Sequence, residues 1–220
     1  MKMPYKKWIM KKIINTILLI FSLTTISYSA EYGVRVSLEK TEHECSFQNP
    51  RVTSKVTDCG KETNGSLGFL ITNQFQNGNF IETELAYVLG DRTFTSNWAP
   101  FNNNKQEITV SDHPRALVTF GKKISSDSGF TFSPVIGAGF ARMKAKGAQG
   151  AANDPFDEKT NNNLLWTAGV SLGKNNSQWS LDYRYIDYGN VETGIGVPGT
   201  RDERLHGDMT SHLVGISFKY

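Results

Sequence analysis

Apolar and polar side chains alternate along most of the chain beyond residue 31. Their period of two indicates β-strands whose two faces meet different environments. The final stretch shows the pattern clearly, because its alternate positions are apolar: Val214, Ile216, Phe218 and Tyr220. The positions between them are small or charged: Gly215, Ser217 and Lys219. Similar stretches begin near residues 32, 66, 80, 115, 130, 164 and 179, so the pattern predicts eight strands.

The connections between these strands alternate strictly between long and short. Long polar connections cover about residues 41–64, 94–114, 146–163 and 190–208. Short turns rich in Asn, Gly and Ser cover residues 77–79, 125–129 and 175–177. The sequence therefore predicts an all-β fold: an eight-stranded antiparallel up-and-down transmembrane β-barrel with short periplasmic turns and four long extracellular loops. We further expect the third strand to run from Phe80 to Thr93 and Pro134 to cause a bulge in the fifth.

Charged residues occupy the polar faces of several predicted strands: Arg35, Glu39, Glu82, Glu84, Asp182, Arg184 and Lys219. Facing lipid, such a charge would cost ~2–4 kcal/mol near the bilayer midplane, whereas opposite charges can pair inside a barrel. We therefore expect these residues to form a charge network in the barrel interior and the aromatic faces to contact lipid. A soluble lipocalin-like barrel is the alternative with the same strand count, but its apolar face would have to point inward.

Residues 1–30 have the features of a cleaved secretory signal peptide, namely a lysine-rich start, an apolar core and small residues at its end. Cleavage after Ser29 and cleavage after Ala30 both remain open. Starts at Met1 and at Met10 also remain open, because an ordinary signal could begin at the second methionine.

The expected organisation is a leader over residues 1–30 and one barrel domain over residues 31–220. Five lysines and no acidic residues lie in the leader, so the formal net charge of +3 becomes −2 without it. The basic character of the whole chain therefore belongs to the leader, and we expect no nucleic-acid partner.

The chain has two cysteines, Cys45 and Cys59, in the first long polar connection of an exported protein. We expect a disulfide between them, which would close a 15-residue ring and add about 3 kcal/mol in the chain-entropy model. His43 lies nearby, but the spacing of these three residues matches no zinc pattern. The sequence therefore predicts neither a metal site nor a cofactor.

The leader, the eight alternating strands, the segment from Leu181 to Gly189 and the final Phe218-Lys219-Tyr220 together resemble the outer-membrane protein A-like and opacity-type small barrels. The resemblance implies a bacterial outer-membrane location, with outer-membrane lipid and lipopolysaccharide as partners. It also implies that the barrel-assembly machinery recognises the C-terminal strand, with Phe218 and Tyr220 as its signal, and that the protein is a monomer.

An eight-stranded barrel is only wide enough inside for side chains, so we expect it to be closed to bulk solutes. The inner charges could form an ion path, but a structural network is the favoured interpretation. Loops on a rigid scaffold commonly carry binding, and exposed aromatic and arginine residues are favoured anchors. The candidate anchors in the long connections are Trp98, Phe101, Phe156, Arg201 and Arg204. We expect adhesion to a host surface, a matrix protein or another ligand, together with a structural role in the envelope.

Two alternative functions remain, a narrow channel and an enzyme that acylates or deacylates lipid A. The known outer-membrane deacylases use a histidine followed two residues later by serine. None of the four histidines in the chain, namely His43, His113, His206 and His212, has that neighbour. The sequence therefore predicts that the protein is not an enzyme.

Overall fold

The computed structural model describes residues 29–49, 52–56, 59–98, 104–149, 154–196 and 204–220, so most of the predicted leader lies outside it. The described residues form thirteen strands. They are β1 (Ser29–His43), β2 (Cys45–Asn49), β3 (Val52–Val56), β4 (Lys61–Gln74), β5 (Asn79–Val88), β6 (Arg92–Trp98), β7 (Asn104–Ser111), β8 (His113–Lys122), β9 (Ile124–Ser125), β10 (Phe130–Gln149), β11 (Asp154–Lys174), β12 (Trp179–Glu192) and β13 (Arg204–Lys219). No helix in this part of the chain is long and apolar enough to cross a membrane.

Eight of these strands close into an antiparallel barrel, which confirms the predicted fold. Neighbours in the barrel follow the order β1, β4, β5, β8, β10, β11, β12 and β13, and β13 pairs back onto β1. Every one of these pairs is antiparallel. Tight turns join the strands at the rim where β1 begins and β13 ends, so this rim is the periplasmic one.

The pairing register fixes how strongly the strands tilt. A path that follows paired residues once around the barrel starts at Ala30 and returns to β1 at Lys40, ten residues further along. The residues on this path are Ala30, Asn73, Ile81, Phe120, Ile136, Ala168, Tyr185, His212 and Lys40. With ordinary strand rise and spacing, this stagger corresponds to a tilt of about 40°.

The outer surface of the barrel is apolar, as the alternation predicts. Residues on it that remain exposed include Val36, Leu85, Phe120, Ile136 and Ile216, and Ile136 is 63% exposed. In water this band would be a large exposed apolar patch, whereas in a bilayer it contacts hydrocarbon. Closure of the sheet also satisfies the backbone groups that lipid cannot hydrogen-bond. The protein is therefore a transmembrane barrel of the outer-membrane type.

Beyond the extracellular rim the polarity of the two faces is reversed. There the inward residues form an apolar cluster that includes Phe94, Ile108, Met143, Val191 and Leu205. The outward residues on the same strands are polar and include Arg142, Lys144, Lys146 and Thr160. This part of the sheet, which we call the extension, is therefore built like a soluble protein and stands in water.

The extension replaces much of what the sequence predicts as loops. The expected loop over residues 146–163 is wrong, because β10 and β11 are 20 and 21 residues long and continue as a paired hairpin. Its composition of Gly, Ala, Asn and Asp reads as loop, yet these residues pair with a partner strand. The first and second long connections likewise contain the hairpins β2–β3 and β6–β7.

Two predicted details of the strands are also wrong. The third strand does not run to Thr93: β5 ends at Val88, and Gly90 adopts φ +79°, a conformation that suits glycine and turns the chain into β6. Pro134 causes no register shift, although β8 ends opposite it and pairing resumes in β9. The shift in β10 lies between Ala145 and Gly147 instead.

We expect Ile136→Arg to lower the free energy of unfolding by about 2–4 kcal/mol, because it places a charge on the lipid-facing surface. Thr160→Arg adds the same side chain to the water-facing extension and should change stability by less than about 0.5 kcal/mol. Urea titrations of both variants refolded into liposomes provide the measurement. Equal effects of the two substitutions would contradict the assigned membrane boundary.

Candidate functional site

The barrel interior holds a network of buried ion pairs centred on Arg35. Its guanidinium donates to Glu82 at 2.9 Å, to Asp182 at 3.1 Å and to Glu84. The Nε atom also donates to Ser217 at 3.0 Å. Because the Arg35 side chain is only 1% exposed, these partners stand in for its lost hydration.

Glu82 joins Arg35 to the other charges of the lower barrel. It accepts from Lys219 at 2.7 Å and from Arg184 at 3.3 Å. Gly169 leaves space for this arrangement, since a Cβ there would lie 2.8 Å from the Cδ atom of Arg184. Lys219 is 20% exposed and borders a periplasmic cavity of about 650 Å³.

A second group of ion pairs lies nearer the extracellular rim, around Glu39. Arg92 donates to this carboxylate at 2.8 Å, and Arg115 donates to its other oxygen. Tyr188 donates to Glu39 at 3.2 Å and accepts from Arg115 at 2.7 Å. Arg115 also reaches Glu84 at 3.1 Å, so the two groups form one continuous network.

The structure places all seven predicted interior charges in this network. Sequence reasoning missed Arg92, Arg115 and Tyr188. Arg115 lies an even number of residues from the inward-facing Thr119, and Tyr188 lies an even number from Asp182, so the alternation could have predicted that both point inward. No sequence pattern could have placed Arg92 in the network, because it enters the barrel from the β6–β7 hairpin, whose position depends on tertiary contacts.

The deeply buried part of the network is electrically balanced. Among the described residues, four arginines and four carboxylates have no more than 4% of their surface exposed: Arg35, Arg92, Arg115, Arg184, Glu39, Glu82, Glu84 and Asp182. Opposite charges in contact offset part of the cost of removing each ion from water. Above them lies the apolar cluster of the extension. The interior is thus filled by paired charges within the barrel and by apolar side chains above them, toward the extracellular end.

Asparagine side chains of β11 hydrogen-bond to β12 beyond Trp166, where the regular backbone pairing of the two strands ends. Asn163 donates to the carbonyl oxygens of Tyr188 and Asn190, each at 2.7 Å. Asn161 exchanges two hydrogen bonds with the backbone of Glu192, at 2.9 and 3.1 Å. These bonds keep the extension continuous with the barrel.

The predicted loop anchors have different positions. Phe156 is not an exposed anchor: it lies in β11 with 6% exposure and packs in the apolar cluster, because the hairpin turns it inward. Arg204 opens β13 and lies 3.7 Å from Glu192. Trp98 is the last residue of β6, and its side chain is outside the described part. Phe101 and Arg201 lie outside the described residues.

The residues predicted as the assembly signal lie at the periplasmic rim. Tyr220 exchanges two backbone hydrogen bonds with Tyr32, at 2.8 and 3.1 Å. The ring of Phe218 packs against Trp179 with 4.6 Å between centroids. Cys59, one of the two cysteines of the predicted disulfide, is fully buried at the base of the first connection.

The described residues show few features of a chemical site. No group of three or more His, Cys, Asp or Glu side chains in this part of the chain is placed to hold a metal ion. His212 faces outward near the extracellular rim, where its Nδ1 atom lies 2.8 Å from the Tyr183 hydroxyl. The imidazole of His212 also packs edge-on against the ring of Tyr185, with 5.4 Å between ring centroids.

Comparisons with known proteins identify the fold. No family model matches the chain, and no curated protein sequence matches it. Among solved structures, the outer membrane protein OprG from Pseudomonas aeruginosa matches with a TM-score of 0.53 and 10% identity, over 87% of this chain and 96% of OprG. This similarity shows that the chain shares the fold of a known outer-membrane barrel.

Two further solved structures match with lower scores. Ail, the attachment invasion locus protein of Yersinia pestis, matches at TM-score 0.40 and 10% identity, over 87% of this chain and 99% of Ail. Neisserial surface protein A matches at TM-score 0.40 and 15% identity, over the same shares of the two chains.

We expect Arg35→Met to lower the free energy of unfolding by about 3–5 kcal/mol, because it leaves three carboxylates buried without their shared cation. Lys61→Met is the matched control, since Lys61 pairs with Glu42 at 2.7 Å where both side chains are well exposed. The control should cost less than about 1 kcal/mol. Urea titrations in the same lipid would contradict the role of Arg35 if the two losses were alike.

We expect His43 to make the extension sensitive to acid. It lies at the extracellular end of β1, stacked on Phe94 with 5.1 Å between ring centroids. Burial, with His206 as a lesser cause, lowers the pKa of His43 to about 4. An unfolded histidine takes up its proton near pH 6.5, so acidification below that value favours opening of the extension, by about 2 kcal/mol at pH 5.

Hydrogen exchange of β6 and β1 at pH 7.5 and pH 5, corrected for intrinsic rates, measures this effect. Protection should fall on acidification in the parent protein and fall less in His43→Phe, which keeps the aromatic contact but cannot titrate. An equal fall in both proteins would assign the pH response to other groups.

Proposed function

We propose that this outer-membrane barrel displays a binding surface for an extracellular ligand, such as a host surface or matrix protein, and that it does so without catalysis. The observation that carries the proposal is the extension, which has an apolar core of its own above the membrane. Four connections emerge at this end, so the described strand ends that flank their tips share one side of the molecule. A rigid scaffold that presents several tips together favours binding over mere solvation of the rim.

The extension supports its tips through long-range pairing. The β2–β3 hairpin is joined to β13 through pairs such as Leu205 with Phe47, and β7 continues the sheet beside β10. A bond between Cys45 and Cys59, which we also propose, would fix the base of the first hairpin. Such support reduces the entropy that a loop loses on binding.

The proposed anchors are those next to or within the tips. Trp98, Phe101 and Arg201 keep this role, since aromatic and arginine side chains dominate interface energetics. Arg204 is the weaker candidate, because Glu192 lies 3.7 Å from it and would have to give up that contact.

The interior supports a display role rather than transport. Arg35 and Glu39 each contact two or more oppositely charged groups, so an ion would have to disrupt several buried pairs to pass. We therefore propose that the network stabilises the barrel as a structural element of the envelope, in a monomer. The alternative of lipid A acylation or deacylation is less well supported: the imidazole of His212 pairs with the hydroxyl of Tyr183, and this arrangement does not by itself indicate catalysis.

We expect binding of whole cells to host cells or immobilised matrix proteins to fall at least fivefold when the four tips, over residues 50–51, 99–103, 150–153 and 197–203, are replaced by short Gly-Ser turns. The extension remains intact in that variant, so its core should still fold. Heat-dependent gel mobility and surface labelling would establish that both proteins are folded and equally exposed.

The matched control replaces the periplasmic turn at residues 175–177 with the same linker, and this variant should bind like the parent. A second variant, Trp98→Ala, tests one anchor alone. Unchanged binding after replacement of all four tips in a barrel that still folds would refute the display proposal. Lipid A mass spectrometry and single-channel recording of the same strains would then identify an enzyme or a channel.

A further inference from the structure

An apolar groove of about 620 Å³ crosses the lipid-facing surface of the barrel, from Val34 on β1 and Phe69 on β4 over β5 and β8 to β10. On β8 its floor is formed by Pro114 and Ala116, whose side chains are small. Larger side chains flank this floor: Leu85 and Tyr87 on β5, and Phe140 and Arg142 on β10.

The pairing register creates the groove. Ala116 lies directly between Leu85 and Phe140, and Pro114 lies beside Tyr87. Further toward the periplasm, the outward positions of β8 are Val118 and Phe120, which are larger, so the groove becomes shallower. The part of the groove over β8 therefore lies in the outer leaflet and has the width that a small residue leaves between two neighbouring strands, roughly 10 Å. This part of the groove suits a segment of a hydrocarbon chain.

Three cations rise from the extracellular end of the groove on alternate positions of β10. Arg142, Lys144 and Lys146 all point outward there, spaced about 7 Å apart along the strand. Lys144 is held by Asp112 at 2.8 Å and lies 3.9 Å from Glu158. Tyr87 also donates to Asp112, at 3.3 Å.

Arg142 differs from Lys144 in its surroundings. It is exposed, lines the mouth of the groove and makes no ion pair with another described residue. Lys146, higher on the same face, is likewise exposed. Two acidic groups near the mouth, Asp112 and Glu158, both lie close to Lys144. The other two cations thus remain available to anionic groups at two heights above the hydrocarbon.

We propose that this groove and the adjacent cations form a binding site for one lipopolysaccharide molecule of the outer leaflet. An acyl chain occupies the groove over Ala116, Arg142 contacts a phosphate of the sugar headgroup, and Lys146 meets phosphate further from the bilayer. Lipopolysaccharide carries phosphates at more than one height, whereas a phospholipid carries its phosphate close to the acyl chains. The spacing of the cations therefore favours lipopolysaccharide, and the site is independent of any ligand bound by the tips.

The test measures lipid retained by the purified, folded protein. Native mass spectrometry in detergent follows release of three lipids supplied separately: rough lipopolysaccharide, the same lipid after dephosphorylation, and phosphatidylglycerol. Ala116→Leu fills the groove, and Arg142→Gln removes the cation at its mouth. Ala168→Leu and Lys40→Gln are matched controls, since both residues face outward on other strands, away from the groove.

We expect the parent protein to retain lipopolysaccharide in preference to the other two lipids. Arg142→Gln should weaken retention of the phosphorylated form about fivefold, the factor that one cation near an anionic lipid contributes. Ala116→Leu should weaken retention about two- to threefold, because packing between a lipid chain and a protein groove in hydrocarbon depends on van der Waals contacts. The two controls should not change retention.

Three outcomes would overturn the proposal. Equal losses in Lys40→Gln and Arg142→Gln would show a general effect of surface charge. Equal losses in Ala168→Leu and Ala116→Leu would show that the groove has no special role. Equal retention of phosphatidylglycerol would show that the surface does not distinguish lipopolysaccharide. Heat-dependent gel mobility of each variant ensures that these comparisons are made on folded barrels.

Discussion

The structure depends on one constraint, namely that lipid offers no hydrogen-bond partner to a backbone N–H or C=O group. Pairing of β13 with β1 removes the two edges that an open sheet would expose to hydrocarbon. The stagger of ten residues around the circuit then sets the strand tilt, and with it the width of the interior. Once closure is imposed, each strand must give one face to lipid and the other to a space only as wide as a few side chains.

Closure therefore determines where charge can be placed. The interior accepts arginine and carboxylate side chains because each finds opposite charge within hydrogen-bond distance, as Arg35 does with Glu82 and Asp182. Above the rim the outer face meets water, and the same strands carry apolar residues inside instead. The membrane boundary therefore coincides with the change from apolar to polar residues on the outer face of β10, between Phe140 and Lys144.

A filled interior leaves two surfaces for function. The extension stands in the surroundings of the cell, and its apolar core would give rigid support to the proposed binding of macromolecular ligands. The lipid-facing surface is apolar almost everywhere, but the groove over Ala116 beside Arg142 combines an acyl-sized space with cations. These two surfaces meet different phases, so the proposed activities can be tested separately. The fold alone would not have assigned either one.

The alternation of apolar and polar residues was enough to predict the barrel, the number of its strands and the direction of each face, because a period of two is a local pattern that can be recognised before the partner strands are known. It also identified the interior charges of β1, β5, β12 and β13. The extension could not be predicted in this way, since the sequences of its water-exposed strands resemble loops until their partner strands are known. For the same reason Phe156 was predicted to be an exposed loop residue but is buried. Arg92 contacts Glu39 from the β6–β7 hairpin, whose orientation no local sequence pattern could predict.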